Sequence, residues 1–524
     1  MPEEKQISVT FDEALSMGKF GKCNYILILV AGAIVSAVLF ETIGTSFVIA
    51  VAGCDLQMTT LQKGVLSAVV FLGIIVSSHL WGFLADTQGR KKVIVSTLFL
   101  TFATTFVSSF ANSFWTITVG RFFAGFFISG PSATIYAYLG EFHNHRNGSR
   151  AIMGAAFVSG IGCLFLPVIA WLIINQNWEL PIPFLDIVYR PWRLFLVACG
   201  LLGLISGFAL LWLPESPKFV YHHGNLEQTI RTIQWMHRMN LGRREPSLQI
   251  NSIVVDEEDQ QFEERLRQMS NAKGFRAFMK LIWDKTAPLF RVPYWTKTVL
   301  VCFLHFGAYL TSHGMFMFYP DIVNQLMEIH ETGINRTTVC EAVYTRRYLA
   351  QSEFAELGCS QQLDLAAYEY TLILEVLFTV LFVLIWMLIN VVQKLTILAV
   401  SFSCCGLAGL MIIFVDIPVV SIWLYTVMLL AAACGYVINA FIVELFPTNI
   451  RALAVCISLM FGRLGTVVGT NMLGLLLDSY CEFTFAINGM LLLVCAVLSF
   501  CISKSHNRKE SEFKPNSKQN SSGD

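Results

Sequence analysis

Twelve apolar runs, each long enough to cross a bilayer as a helix, constrain this chain more than any other feature. A helix needs about 20 apolar residues to span the hydrocarbon core. Runs of that kind fall at 24–50, 60–85, 93–111, 116–141, 150–174, 191–213, 296–320, 367–390, 394–415, 418–444, 449–477 and 482–502. Charged residues make up 14% of the chain, against about 25% in a soluble domain. In lipid, each backbone polar group must be satisfied within its own segment, so the predicted fold class is all-α, with twelve transmembrane helices. The bilayer is the expected surrounding. A formal net charge of zero gives no bulk electrostatic case for nucleic acid. The first 22 residues are polar and no apolar h-region follows a basic n-region, so no signal peptide is expected.

The runs divide six and six, as expected of two repeated six-helix halves. Residues 1–23 read as an N-terminal segment, 24–213 as the first half, 214–295 as a linker and 296–502 as the second half. Residues 321–366 form a long loop within that second half, and 503–524 form a tail. Lys and Arg concentrate at 86–92, at Arg146 and Arg150, through the linker and in the tail. The positive-inside rule then places both termini in the cytoplasm. The 321–366 loop falls on the outer or luminal side. Its Asn335–Arg336–Thr337 is a sequon, so Asn335 is the expected glycosylation site. Cys340 and Cys359 share that loop on the oxidising side and are expected to pair. Most other cysteines lie in apolar runs and read as packing residues. Leu226, Ile230, Ile233 and Met236 recur at helical spacing, which predicts a short amphipathic helix lying against the membrane face.

The second and third runs are joined by Gly82–Phe–Leu–Ala–Asp86–Thr–Gln–Gly89–Arg90–Lys–Lys92. Gly82 is expected to let a neighbouring helix approach. Gly89 is expected to make the turn. Asp86 can pair with Arg90 or face the positive N-terminus of another helix. The stretch resembles the G-x-L-A-D-x-x-G-R-[RK] signature of the major facilitator superfamily, departing at Thr87. Leu213–Pro–Glu–Ser–Pro–Lys–Phe219 resembles the P-E-S-P-[RK] sequence that ends the sixth helix in sugar porters and organic-ion transporters. Glu444–Leu–Phe–Pro–Thr–Asn–Ile–Arg451 resembles the sequence before the eleventh helix of organic-ion transporters. The resemblance implies the major facilitator fold, with a gate built from Gly82, Asp86, Gly89, Arg90, Glu141, Glu444 and Arg451. Arg146 or Arg150 is the expected partner of Glu141, with Glu444 and Arg451 as the symmetric partners in the second half. The second-half copy of the turn, Asn390–Val–Val–Gln–Lys394, lacks its Asp, Gly and Arg, which makes the lock asymmetric.

A charge inside a span is costly and usually functional. Glu41 lies roughly 13 Å, and Arg121 roughly 8 Å, below the outer ends of their helices, close enough in depth to pair. Proton-coupled sugar porters resemble this arrangement, with Asp in place of Glu41. The pair reads either as a coupling site for protons or as a static ion pair that fixes packing. Glu375 and Arg463 are the second-half intramembrane charges. Arg463 follows Arg451 by twelve positions, where organic-anion carriers of the family are basic and cation carriers acidic. It reads either as an anion-binding group or as a structural partner of Glu375. His305 and His313, eight residues apart on one face among aromatic residues, can titrate, bind substrate or simply pack. The pattern as a whole implies a secondary active or facilitative transporter of a small organic, anionic solute, working by alternating access with protons as a candidate partner. The long 321–366 loop also resembles synaptic vesicle glycoprotein 2, which implies the alternative of a vesicle-membrane protein acting mainly through partners. Plasma and vesicle membranes both remain open. No nucleophile–base or metal-ligand spacing is present, so neither an enzyme nor a cofactor or metal is expected.

Overall fold

The computed structural model describes residues 8–242, 252–254, 283, 286–331, 336–351, 363–389, 391–446 and 448–512. Among them, twelve helices are long and apolar enough to cross a membrane. They are Lys22–Gly53, Thr60–Gln88, Arg90–Ser108, Phe114–Gly140, Asn147–Ile174, Pro191–Leu211, Trp295–Phe316, Leu365–Leu388, Lys394–Met411, Pro418–Ile442, Leu453–Leu476 and Cys481–Phe500. Local chemistry sets several starts. Thr59 opens the second span with a capping box, its hydroxyl accepting from Gln62 N and its own N–H donating to Gln62 Oε1 at 2.9 Å. Ser113 opens the fourth with a similar box. Pro191 and Pro418 stand in the first turn of the sixth and tenth, where a missing N–H costs nothing.

The chain clusters into two compact units. One comprises Met1–Pro288, Met317–Asn324 and Cys359–Thr379; the other comprises Leu289–Phe316, Gln325–Gly358 and Val380–Asp524. In the first unit the first span packs on the fifth, the second on the fourth and the third on the sixth. In the second unit the seventh packs on the eleventh and the ninth on the twelfth, the same pairing one repeat later. Small residues permit this closeness. A Cβ on Gly73 would stand 2.7 Å from Phe126 N, and one on Gly314 would stand 2.9 Å from Gly469 Cα. Gly82 is a correction to the expectation from sequence. Nothing described lies within 4 Å of where its Cβ would be. The close approach of the second span is made at Gly73, facing Gly125 of the fourth, nine residues earlier in the chain.

The first unit also carries an ordered N-terminal segment. Thr10 caps the helix Phe11–Met17, and Phe11, Ala14 and Leu15 are buried with Ile233 and Met236 of the amphipathic helix Leu226–Leu241. Asn240 of that helix accepts from Cys23 N at 2.8 Å and donates to the carbonyls of Gly18 and Lys19. Ser8–Thr10 pairs in parallel with Ser252–Val254.

The loop after the seventh span departs from expectation in two ways. The helix Tyr319–Glu331 begins it, because Tyr319, Ile322, Val323 and Leu326 recur at helical spacing and are all buried. Cys340 bonds Cys481 rather than Cys359, with Cα atoms 5.5 Å apart. The reason is the helix Val339–Gln351, whose Tyr344 hydroxyl donates to Glu482 at 2.7 Å and accepts from Cys481 N at 3.0 Å. That seats Cys340 on the start of the twelfth span. Cys359 and Asn335 lie outside the described residues.

Candidate functional site

Three clusters gather the charged residues expected to be functional, with aromatic residues beside two of them. In the first unit, Glu41 and Arg121 are each 1% exposed. Arg121 Nη1 donates to Glu41 Oε2 at 2.7 Å, and Nη2 donates to the Glu41 carbonyl and to Thr45 Oγ1. The other carboxylate oxygen accepts from Thr105 Oγ1 at 2.8 Å. Gly200 of the sixth span leaves room for this, since its Cβ would lie 3.0 Å from Glu41 Oε1. Both charges are therefore paired and hydrogen-bonded, as burial requires. Thr45, Thr105 and Gly200 were not foreseen. A hydroxyl or glycine in an apolar helix is too common to single out without its neighbours.

In the second unit the organising residue is Tyr309, one of the aromatic residues expected around His305 and His313 but not singled out among them. Its ring lies 5.6 Å edge-on from His305 and 4.3 Å from His313. Gly435 and Gly462 form a slot for it, since a Cβ on either would come within 3.0 Å of the ring. Arg463, next in sequence to that second glycine, lies within electrostatic reach of the phenol. The two histidines differ in surroundings. His305 is sealed at 0% exposure, its Nδ1 2.5 Å from Ser458 Oγ. Ser458 Oγ also lies 3.1 Å from the Val301 carbonyl, which ties the pair to the backbone of the seventh span. His313, Tyr309 and Arg463 are each only partly buried. Glu375 belongs to the first unit, where it is 7% exposed and near Cys163 of the fifth span. No cation of its own unit pairs with it among the described residues.

The third cluster sits where the second span meets the third. Gly89 adopts φ +114°, which only glycine does freely. Arg90, 3% exposed, bonds Asp86 at 3.0 Å and Glu141 at 3.1 Å and lies over the Phe219 ring. Glu141 also accepts from Ser216, which caps the helix Pro217–His222. Glu215 Oε1 accepts from Lys91 N at 2.9 Å. The two motifs at 82–92 and 213–219 are thus one clamp. Among the described residues the cation bonded to Glu141 is Arg90 and not Arg150, because Arg90 opens the third span beside the end of the fourth; the Arg146 side chain lies outside the described residues. Burial raises the Glu141 carboxyl above its ordinary value, against the lowering effect of Arg90. In the second unit Glu444 pairs with Lys394, and Arg451 Nε donates to the Phe446 carbonyl at 3.4 Å. The expected Glu444–Arg451 pairing is replaced for a related reason. Lys394 opens the ninth span as Arg90 opens the third, so the second-half turn keeps its cation although it lacks the Asp and Gly.

A model of the sugar (and other) transporter family matches residues 32–345. Synaptic vesicle glycoprotein 2B of Homo sapiens is 23% identical over 341 residues, covering 63% of this chain and 49% of that protein. Synaptic vesicle glycoprotein 2C of Mus musculus is 23% identical over 333 residues, covering 62% and 46%. The chain spans about half the length of the curated relatives it matches. The xylose transporter XylE from E. coli, in a partially occluded inward-open conformation, superposes with a TM-score of 0.60 at 13% identity. That match covers 91% of this chain and 99% of XylE. A point mutant of the nucleoside transporter NupG gives a TM-score of 0.54 at 14% identity, covering 94% and 100%. At these identities the solved structures establish the fold alone.

Proposed function

The chain belongs to the sugar (and other) transporter family within the major facilitator superfamily, and from that membership we propose that it is a secondary transporter of a small organic anion. The observation that carries the anion is the difference in exposure between Arg121 and Arg463. Arg121 is sealed and matched by Glu41. Arg463 keeps partial access at mid-helix beside Tyr309 and His313. A desolvated but accessible guanidinium attracts a carboxylate or similar anion, and its planar fork orients it. The Tyr309 and His313 rings supply an aromatic surface for the rest of the solute. Solute crosses by alternating access, the helices of residues 24–213 rocking against those of 296–502. Protons couple through Glu41, whose contact with Arg121 differs between states. The Asp86–Arg90–Glu141–Ser216 clamp and the Lys394–Glu444 pair act as gates on the cytoplasmic face, which carries both termini.

The test is counterflow of radiolabelled aromatic carboxylates into liposomes holding the purified protein. Wild type exchanges at least one of them, and Arg463→Ala loses at least about tenfold in affinity, the order expected for a charge-assisted hydrogen bond. Equal exchange by both proteins removes Arg463 from the site. The similarity to synaptic vesicle glycoprotein 2B favours a second reading, a vesicle-membrane protein acting through partners. Absence of counterflow for every solute, with folded protein, would select it.

A further inference from the structure

The loop between the fifth and sixth spans holds an antiparallel hairpin, Leu180–Ile182 with Ile187–Tyr189, that none of the proposed transport chemistry uses. Its sequence from Leu180 to Ile187, Leu–Pro–Ile–Pro–Phe–Leu–Asp–Ile, carries one charge. Phe184 stands at the tip, 94% exposed, and Leu180 is 56% exposed. Asp186 closes the turn in the left-handed region. A hairpin in water ordinarily puts polar residues at such positions.

Where it is rooted explains the composition. A column of rings climbs the third span and continues into the hairpin. Phe102 and Phe106 lie 6.2 Å apart, Phe106 and Phe110 5.3 Å, Phe110 and Tyr189 5.2 Å, and Tyr189 and Trp178 6.3 Å. The Tyr189 hydroxyl also donates to Ser109 Oγ at 3.3 Å. On the same turn of the third span, Phe106 is 44% and Val107 70% exposed. Apolar residues that stay exposed along an apolar span face lipid. The hairpin is therefore fixed to the lipid-facing rim, and its apolar surface continues that of the third span.

We propose that this hairpin inserts into the leaflet on the membrane face opposite the termini, with Phe184 at the headgroup–acyl boundary and Trp178 and Tyr189 in the aromatic belt. The fit is to the apolar interface, not to anionic headgroups. Arg190, the nearest cation in sequence, is already held by Asp55 and Glu179. Insertion should be insensitive to salt and to anionic lipid.

The experiment replaces Phe184 with a genetically encoded, environment-sensitive fluorescent amino acid in the full chain, reconstituted in phosphatidylcholine nanodiscs. Insertion predicts blue-shifted emission, with quenching by a nitroxide at acyl carbon 5 at least about twofold stronger than by a headgroup nitroxide, as a depth of roughly 5–10 Å requires. A probe at Leu180 provides the same reading if the first variant fails to fold. Water-like emission without lipid quenching overturns the proposal. So does a blue shift that appears only with rising protein concentration, which would mean that a second copy covers the hairpin.

Discussion

Removing one member of the Glu41–Arg121 pair should cost far more than removing both. Each residue is 1% exposed, so water cannot replace a lost partner. Breaking a buried pair typically costs about 3–5 kcal/mol, whereas replacing both members with apolar groups is often neutral. The two single losses should also differ. A carboxyl stranded without its cation can be neutralised by a proton. A stranded guanidinium has no such escape. Glu41→Leu should therefore lower the melting temperature by about 6–20 °C, on the scaling of about 2–4 °C per kcal/mol, and equally at pH 7 and pH 5. Arg121→Met should be less harmful, since Thr105 still holds the carboxyl. The double variant should return most of the stability. Melting of the purified proteins in detergent, followed by size-exclusion chromatography, measures all four. A double variant as unstable as the sum of the singles would show that the two residues do not act as a unit, and the coupling argument would lose its basis.

Three other predictions concern the surrounding structure. Cys340→Ser and Cys481→Ser should each lower thermal stability, with no further loss in the double variant, because one disulfide joins them; additive losses would contradict that pairing. Gly125→Leu should fail to fold or melt much earlier, since even its Cβ would meet the Val70 backbone, while Gly82→Leu should be tolerated far better; equal damage at both would refute the assigned contact. Glu141 holds its proton to higher pH folded than unfolded, so the folded state binds more protons and the group costs stability as pH rises above 4.5. Wild type should lose stability from that pH toward neutrality more steeply than Glu141→Gln; equal pH dependence would show that burial leaves this carboxyl unshifted, and a shallower loss would reverse the sign.

The helical spans were legible because a bilayer demands long apolar runs and nothing else in this chain resembles them. The motif at 82–92 was legible for a similar reason, since glycine at φ +114° and a tight basic turn leave a local trace. Contacts across sequence were not. Cys340 and Cys359 share a loop, but only the fold of Val339–Gln351 brings Cys340 to Cys481. Lys394 was visible at the head of the ninth span, yet its role appears only when the end of the tenth brings Glu444 to it. Tyr309 was one aromatic among the many around His305 and His313. The glycines that hold its ring lie on helices more than 120 positions away along the numbering. Gly82 shows the reverse case, a residue type suited to close packing with no described atom within 4 Å of where its Cβ would be.

The most direct test of the account is accumulation driven by a proton gradient. Purified protein is reconstituted in liposomes, an aromatic carboxylate that shows counterflow is supplied, and a pH difference is imposed, acidic on the side of solute entry. Wild type should accumulate solute above its external concentration and lose it when an ionophore collapses the gradient. Glu41→Gln should exchange solute across the membrane without accumulating it. Accumulation by Glu41→Gln with the pH dependence of wild type would contradict Glu41 as the coupling acid, leaving its pair with Arg121 a feature of packing alone.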